Sequence, residues 1–187
     1  MTATLYQLDE MFGLLKERGA QQYGREAVTQ LDHALQCAHL AEQQGETAAT
    51  ITAALLHDIG HLVREARLAG DPERDDLHQF IALPFVRGLL PEAVLQPIRL
   101  HVDAKRYLCH AETGYFDTLS PASVQSLKVQ GGVFDAAEAK AFMEQPFAAE
   151  AVRLRRYDDL AKVPGAKVSG LAHFETLART VASGRPG

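Results

Sequence analysis

The stretch over 47–59, TAATITAALLHDI, is apolar on every side until it reaches His57 and Asp58, and this combination constrains the fold more than any other feature of the chain. A helix with no polar face has to be surrounded by protein. The pattern therefore predicts a central, fully buried helix over 47–59, closed by Gly60. A carboxylate carried on such a helix is costly unless it is paired, hydrogen-bonded or bound to a metal. His57 adjoins it and His61 follows four residues later, and imidazole with carboxylate suits a borderline cation such as Fe, Mn or Zn. A His-Asp pair capping a core helix would show the same dipeptide, so the pair alone leaves both readings open.

The rest of the chain reads as further helices. Apolar residues recur at three- and four-residue spacing through Leu5, Leu8, Met11, Phe12 and Leu15, and again through Leu31, Ala34, Leu35, Ala38 and Ala41. These predict helices over 5–16, ended by Gly19, and over 28–44, ended by Gly45. Further helices are expected over 77–90, over 91–108 with Pro91 in the first turn and Pro97 bending it, over 120–129, from a capping box at Asp135 and Glu138, over 147–161 and over 171–181. A charged surface loop is expected around 64–75 and a frayed tail over 183–187. No alternating strand pattern and no internal linker is evident. The expectation is one all-α domain of about eight or nine helices spanning residues 1–187.

Composition narrows the function classes. Hydrophobic residues make up 47% and charged residues 23% of the 187, an ordinary globular mixture. Nineteen lysines and arginines face 24 aspartates and glutamates, a net charge of −5. Nucleic-acid binding is not expected, because it needs a basic excess to displace counterions. No apolar run approaches the length that spans a bilayer. The N-terminal residues are acidic where an export signal would be basic, and Cys37 and Cys109 form no disulfide framework, so a cytoplasmic protein is expected.

The His-Asp pair has company. His33 lies on the preceding amphipathic helix, and Asp158 lies in RLRRYDDLAK, four residues before Lys162 in ion-pair spacing. The order His, His-Asp, Asp resembles the HD-domain superfamily of metal-dependent phosphohydrolases, an all-α fold. A mononuclear site of this kind can be built from four protein ligands, so His78 and His101 on the intervening helices suggest a second metal, with Asp58 bridging. His39, His110 and His173 read as surface or core histidines.

The segments QYGREAVTQLDHALQCA, LLHDIGH, LHVDAKRYL and LRRYDDLAK together resemble the PhnZ-type organophosphonate oxygenases, a di-iron branch of the HD fold related to myo-inositol oxygenase. The likeness covers about residues 20–165. It implies an Fe(II)/Fe(III) pair held by His33, His57, Asp58, His78, His101 and Asp158. It also implies a phosphonate pocket of His61, Lys105, Ser123 and Arg155, with Ser120 a rival for Ser123 and Asp159 a rival for Asp158. Tyr23 and Glu26 match a pair that lies over the open iron and the substrate amine.

The implied activity is oxygen-dependent cleavage of the carbon–phosphorus bond of (2-amino-1-hydroxyethyl)phosphonate to glycine and phosphate. The trimethylammonio analogue would give glycine betaine, and aromatic faces around the cation would then be expected, with Tyr23, Tyr107, Tyr115 and Phe116 as candidates. Phosphate-monoester hydrolysis is the rival chemistry. Independently of the likeness, His57 with His61, His101 with Lys105, and Arg155 with Asp158 are three or four residues apart. Each pair would set a metal ligand beside an anion-binding group on one helix face.

Overall fold

The apolar segment is central, but it is not one helix. In the computed structural model, which describes residues 8–67, 77–81 and 83–184, α3 (Ala48–Leu56) stops before His57 and α4 (Ile59–Arg67) begins after Asp58. The chain turns at His57 and Asp58, the two polar residues of the segment that the sequence singles out. His57 and His61 therefore do not share one continuous helix. Gly60 does not end a helix either, because it lies in the first turn of α4. Its reason is steric: a Cβ there would sit 1.9 Å from the carbonyl oxygen of His78. The missing side chain lets the His78 backbone come against the His-Asp turn.

Around α3 pack α2 (Gln30–Gln43), α7 (Glu92–Ala111), α11 (Ala148–Leu160) and α12 (Leu171–Ala182), which is what an all-apolar helix requires. Ala53, Ala54, Leu55 and Leu56 join Phe12, Leu62, Ile98, Leu154 and Phe174 in one core. α1 (Leu8–Arg18) lays Met11, Phe12 and Leu15 into that core and packs on α2 and α4. Residues 5–7 of the helix expected there lie outside the described residues. Thr29 caps α2 through a reciprocal box with Asp32, and Thr47 caps α3 by accepting from the Thr50 N–H.

The helix expected over 77–90 is instead two single turns, α5 (His78–Ile81) and α6 (Leu83–Val86). Leu77 has φ of 50°, a left-handed conformation that β-carbon-bearing residues seldom adopt, and it redirects the chain immediately before His78. The expected loop over 64–75 starts later, since α4 continues through Arg67; the rest of that loop and residues 185–187 lie outside the described residues. Pro91 is the N-cap of α7, one position before the expected first turn, and α7 runs on through Pro97 to Ala111.

Beyond α7 come α8 (Tyr115–Thr118), α9 (Pro121–Val129) and α10 (Ala136–Met143). Ser120 caps α9 with Pro121 at its first position, and Asp135 with Glu138 forms the expected box on α10. α10 and α11 pack on α7 through Phe142, Ala148 and Ala151 against Leu100 and Ala104, which holds the distal half of α7 in place. Of the twelve helical segments among the described residues, α5, α6 and α8 are four-residue turns, so nine helices of eight or more residues remain. The only β pairings among the described residues are two isolated bridges, Gln22 with Thr29 and Arg87 with Leu90.

The close approach at Gly60 predicts that Gly60→Ala destabilises the protein by about 1–3 kcal/mol, the usual range for overpacking. Chemical denaturation measures this directly. An unchanged midpoint would mean that the His78 backbone moves aside at no cost.

Candidate active site

Five elements deliver to one place six side chains of the kinds that could hold a metal ion. His33 comes from α2, His57 and Asp58 from the turn between α3 and α4, His78 from the first residue of α5, His101 from α7 and Asp158 from α11. All six are buried. Asp58 lies between two groups of imidazoles. Its Oδ2 is 3.3 Å from His57 Nε2 and 3.7 Å from His33 Nε2, while its Oδ1 is 3.2 Å from His78 Nε2 and 3.6 Å from His101 Nε2. Asp158 joins the first group, with Oδ1 3.5 Å from His33 Nε2 and Oδ2 4.0 Å from His57 Nε2.

The donor set fits metal ions. Nδ1 of His33, His57 and His101 lies 2.9, 2.9 and 2.7 Å from the carbonyl oxygens of Ala161, Ala54 and Ile98. A carbonyl only accepts, so each Nδ1 carries the proton, and the neutral ring then turns a lone pair inward at Nε2. Those inward nitrogens converge: His33 and His57 Nε2 are 3.3 Å apart, and His78 and His101 Nε2 are 3.0 Å apart. Among the described residues, the buried oxygens Asp58 Oδ2 and Asp158 Oδ1 accept no hydrogen bond. The His33 and His57 lone pairs facing each other, beside unpartnered carboxylate oxygens, are stable around cations. Cys37 adds a thiol 3.6 Å from His33 Nε2.

The electrostatics agree. Burial pushes the His33 pKa down to about 4, and burial together with His57 and His78 holds His101 well below the ordinary imidazole value, so both rings are neutral and have a lone pair to offer a metal. Burial works against the charge of Asp58, yet His57 and His78 keep its carboxyl well below the usual range. Burial likewise opposes the charge of Asp158, which Arg155, His57 and His33 hold low. His57 is raised despite burial, by Asp58 and Asp158. The two carboxylates thus draw positive charge toward His57 Nε2, the place a cation would take.

On one side the cluster opens into a cavity of about 1010 Å³ whose wall includes Asp58, His61, His78, His101 and Asp158. The remaining residues expected in the pocket all line it: Tyr23, Glu26, Lys105, Ser123 and Arg155. Tyr23 stacks on His33, ring centroids 3.9 Å apart, and burial with Asp158 and Asp58 raises its hydroxyl well above the usual phenol value. His61 stacks on His78 at 4.1 Å and puts Nε2 3.9 Å from Asp58 Oδ1. Arg155 binds Asp158 Oδ2 at 2.6 Å, contacts Asp159, and reaches Tyr115 Oη at 3.3 Å and Ser123 Oγ at 3.4 Å. Asp159 takes Arg155 and the Tyr115 hydroxyl, so it stands behind the arginine, while Asp158 faces the imidazoles.

Ser123 and Ser120 are separated in the same way. Ser123 is buried in the wall between Arg155 and Lys162, whereas Ser120 caps α9 and donates to Glu26 Oε1 at 2.6 Å. Three residues fall outside the expected set: Ser126 and Lys162 in the wall, and Tyr115 behind it. Ser126 accepts from Lys105 Nζ at 2.6 Å and sits one helical turn beyond Ser123, a spacing that marks it in hindsight. Tyr115 was considered only as an aromatic face, yet its hydroxyl bonds Asp159 and receives Arg155 Nε. Lys162 was considered as a partner of Asp158, but α11 ends at Leu160, and the lysine turns instead to Glu26 Oε1 at 3.4 Å.

Residues 31–130 match the HD domain family. The chain is 45% identical to a hydroxymethylphosphonate dioxygenase of Gimesia maris over 175 residues, 89% of this chain and 83% of the relative. It is also 36% identical over 166 residues, 88% and 85% of the two chains, to the glycine-betaine-forming (1-hydroxy-2-(trimethylamino)ethyl)phosphonate dioxygenase of Leisingera caerulea. The chain belongs to the HD-domain oxygenases. An HD oxygenase needs a metal centre and a cavity opening onto it, and the Asp58 cluster and its adjoining wall have that relation. Among the described residues, no helix is long and apolar enough to cross a membrane.

Within this oxygenase, Lys105 predicts how the wall takes anions. Burial and Arg155 push its pKa down to about 7, against the opposing pull of Asp158 and Asp159. A lysine with a lowered pKa is charged below that value and neutral above it. Sulfate, whose own charge is constant there, should therefore bind more weakly as pH rises through about 7, measured by calorimetry. Lys105→Met should flatten that step; the same step persisting in the variant would assign it to another group.

Proposed function

We propose that this protein is a di-iron oxygenase that cleaves the carbon–phosphorus bond of a 1-hydroxyphosphonate, consuming dioxygen and releasing phosphate and a carboxylate. One observation carries the reading: the anion-binding groups His61, Lys105, Ser123 and Arg155 line the same cavity as the buried His/Asp cluster. A hydrolase of phosphate esters would use one metal or two to activate a water and would consume no oxygen. The second imidazole pair, His78 and His101, on the opposite oxygen of Asp58 suits a dinuclear centre.

In this reading His33, His57, Asp58 and Asp158 would hold one iron, and Asp58, His78 and His101 would hold the other. The mixed-valence Fe(II)/Fe(III) pair, when bound, supplies the activation of dioxygen and the redox capacity for oxidising C1. The balance needs no external reductant: the C1–H and C1–P bonds break, C1 reaches the carboxylate level, and both atoms of dioxygen are accounted for in carboxylate and phosphate.

The chain's own residues bind and orient. Arg155, held behind by Asp159 and Tyr115 and at the side by Asp158, presents its guanidinium to a phosphonate oxygen in a fixed plane. Lys105 adds a point charge and Ser123 a hydroxyl, and His61 closes the side next to His78. Tyr23 covers the His33 face and limits water there.

The substrate's other end faces Glu26. The expected substrate, (2-amino-1-hydroxyethyl)phosphonate, would use that carboxylate for its amine. The trimethylammonio analogue would need an aromatic cage, and the other candidate faces are elsewhere: Tyr107 packs on Phe142, Tyr115 serves Arg155, and Phe116 is exposed. Among the described residues, Tyr23 is the one non-histidine aromatic in the wall.

Protein loaded anaerobically with ferrous iron should, on admission of oxygen, take up one O2 for each phosphate released from a 1-hydroxyphosphonate. Phosphate released from ordinary phosphomonoesters without oxygen uptake would establish hydrolysis instead. His78→Ala and His101→Ala should each lower bound iron from about two to about one per chain and abolish turnover, because both would serve the same metal. Full iron loading in both variants would end the dinuclear assignment.

A further inference from the structure

The three imidazoles whose Nδ1 meets a carbonyl are not fixed in the same way. His57 and His101 use carbonyls three residues back on their own segments, Ala54 and Ile98. His33 uses that of Ala161, 128 residues away in the chain. The direction in which His33 Nε2 points therefore depends on a second segment being docked against α2. If that segment moves, the ring loses its partner even with α2 intact.

Gln36 does the docking. It lies three residues after His33 on α2 and is 5% exposed. Its side-chain amide closes a ring of two hydrogen bonds with the backbone of Val163: Nε2 donates to the Val163 carbonyl and Oε1 accepts from the Val163 N–H, at 3.0 Å each. Between the two contacts the chain leaves α11 by an inverse γ-turn, with Ala161 at φ −82° and ψ 48° and the Lys162 N–H donating to the Leu160 carbonyl at 2.9 Å. That ψ lies outside both the helical and the extended wells, and it is ψ that directs the Ala161 carbonyl toward His33. The turn is held before Ala161 by α11, through the Tyr157 carbonyl, and after it by Gln36. Asp158, three residues before Ala161, brings its Oδ1 to 3.5 Å from His33 Nε2.

We propose that Gln36 is a positioning residue for the metal of His33, His57 and Asp158: by clasping Val163 it keeps the Ala161 carbonyl on His33 Nδ1, and so keeps His33 Nε2 directed at the ion. The inference rests on the dinuclear reading above and deepens it. Partners that orient a ligating imidazole in this way change metal affinity by about 10–100-fold. His78 and His101 come from α5 and α7, which the clasp does not include, so their metal is an internal reference. Replacing Gln36 by methionine leaves no polar group stranded on α2, and Val163 is 55% exposed, so water reaches its freed N–H and carbonyl. The cost then falls on the metal rather than on folding.

The test is release of iron to a chelator, without oxygen and without turnover, from ferrous-loaded wild type, Gln36→Met, Gln36→Asn, His78→Ala and the double variant Gln36→Met/His78→Ala. Wild type should hold about two irons per chain. Gln36→Met should release one of them about tenfold faster or more and the other at the wild-type rate. Gln36→Asn, polar but one methylene too short to reach Val163, should do the same. His78→Ala should hold its single iron firmly, and the double variant should lose it as fast as Gln36→Met loses its labile one. Wild-type rates in both glutamine variants would overturn the proposal. So would both irons leaving faster by the same factor, the mark of a generally loosened fold, or a double variant no faster than His78→Ala, which would put the labile iron at His78 and His101. Wild type holding one iron would instead bring down the dinuclear reading.

Discussion

Everything in this site depends on the carboxylate of Asp58 being held between two sets of imidazoles. Each of its oxygens meets one pair, His57 with His33 on one side and His78 with His101 on the other. Burial alone would favour the protonated acid, and the surrounding positive and polarisable groups reverse that. The fold is arranged to make this possible. An apolar α3 fills the middle of the core and ends at the residue before His57, so the helix terminus delivers an imidazole and a carboxylate into the interior, where the partners they meet are the buried side chains of the other helices. Gly60 then admits the His78 backbone, and Pro97-containing α7 brings His101 across from the other side.

Charge in the cavity is graded from that point outward. Nearest the cluster, Arg155 is shared between Asp158 and Asp159, so its plane is set before any ligand arrives. Farther out, Lys105 leans on Ser126 and Lys162 on Glu26 and Ser123. An acidic chain with a net charge of −5 thus keeps a locally cationic wall beside its metal ligands. Preorganisation of this kind lowers the cost of orienting a small, highly charged substrate, because the side chains are ordered by one another before it enters.

Much of the site was legible because its residue types are expensive to bury. A histidine and an aspartate at the end of TAATITAALL demand partners, and the other histidines on helices and the Asp-Asp pair in RRYDD are the natural suppliers. Helix periodicity placed α1, α2, α7, α11 and α12 within a few residues of their observed bounds. The choice between neighbours was not legible. Asp158 and Asp159 are chemically the same, and only the direction each takes from α11 separates a partner of imidazoles from a partner of Arg155 and Tyr115. Ser120 and Ser123 differ in the same manner, one being a helix cap and the other part of the wall.

The sequence by itself determined that the chain is all-helical, which helix is innermost, and which side chains are too costly to bury without a cation, because periodicity and desolvation are local properties of residue type. Tertiary structure alone decided the rest. The break at His57 and Asp58, the two short turns that replace a helix over 77–90, and the reach of Lys162 to Glu26 all depend on backbone packing between segments far apart in the chain. No spacing rule encodes them, since Lys162 and Glu26 are brought together by the pinning of residues 161 and 163 to α2. The physical reason is that burial specifies which residues need partners, whereas only the packed backbone specifies which partners they meet.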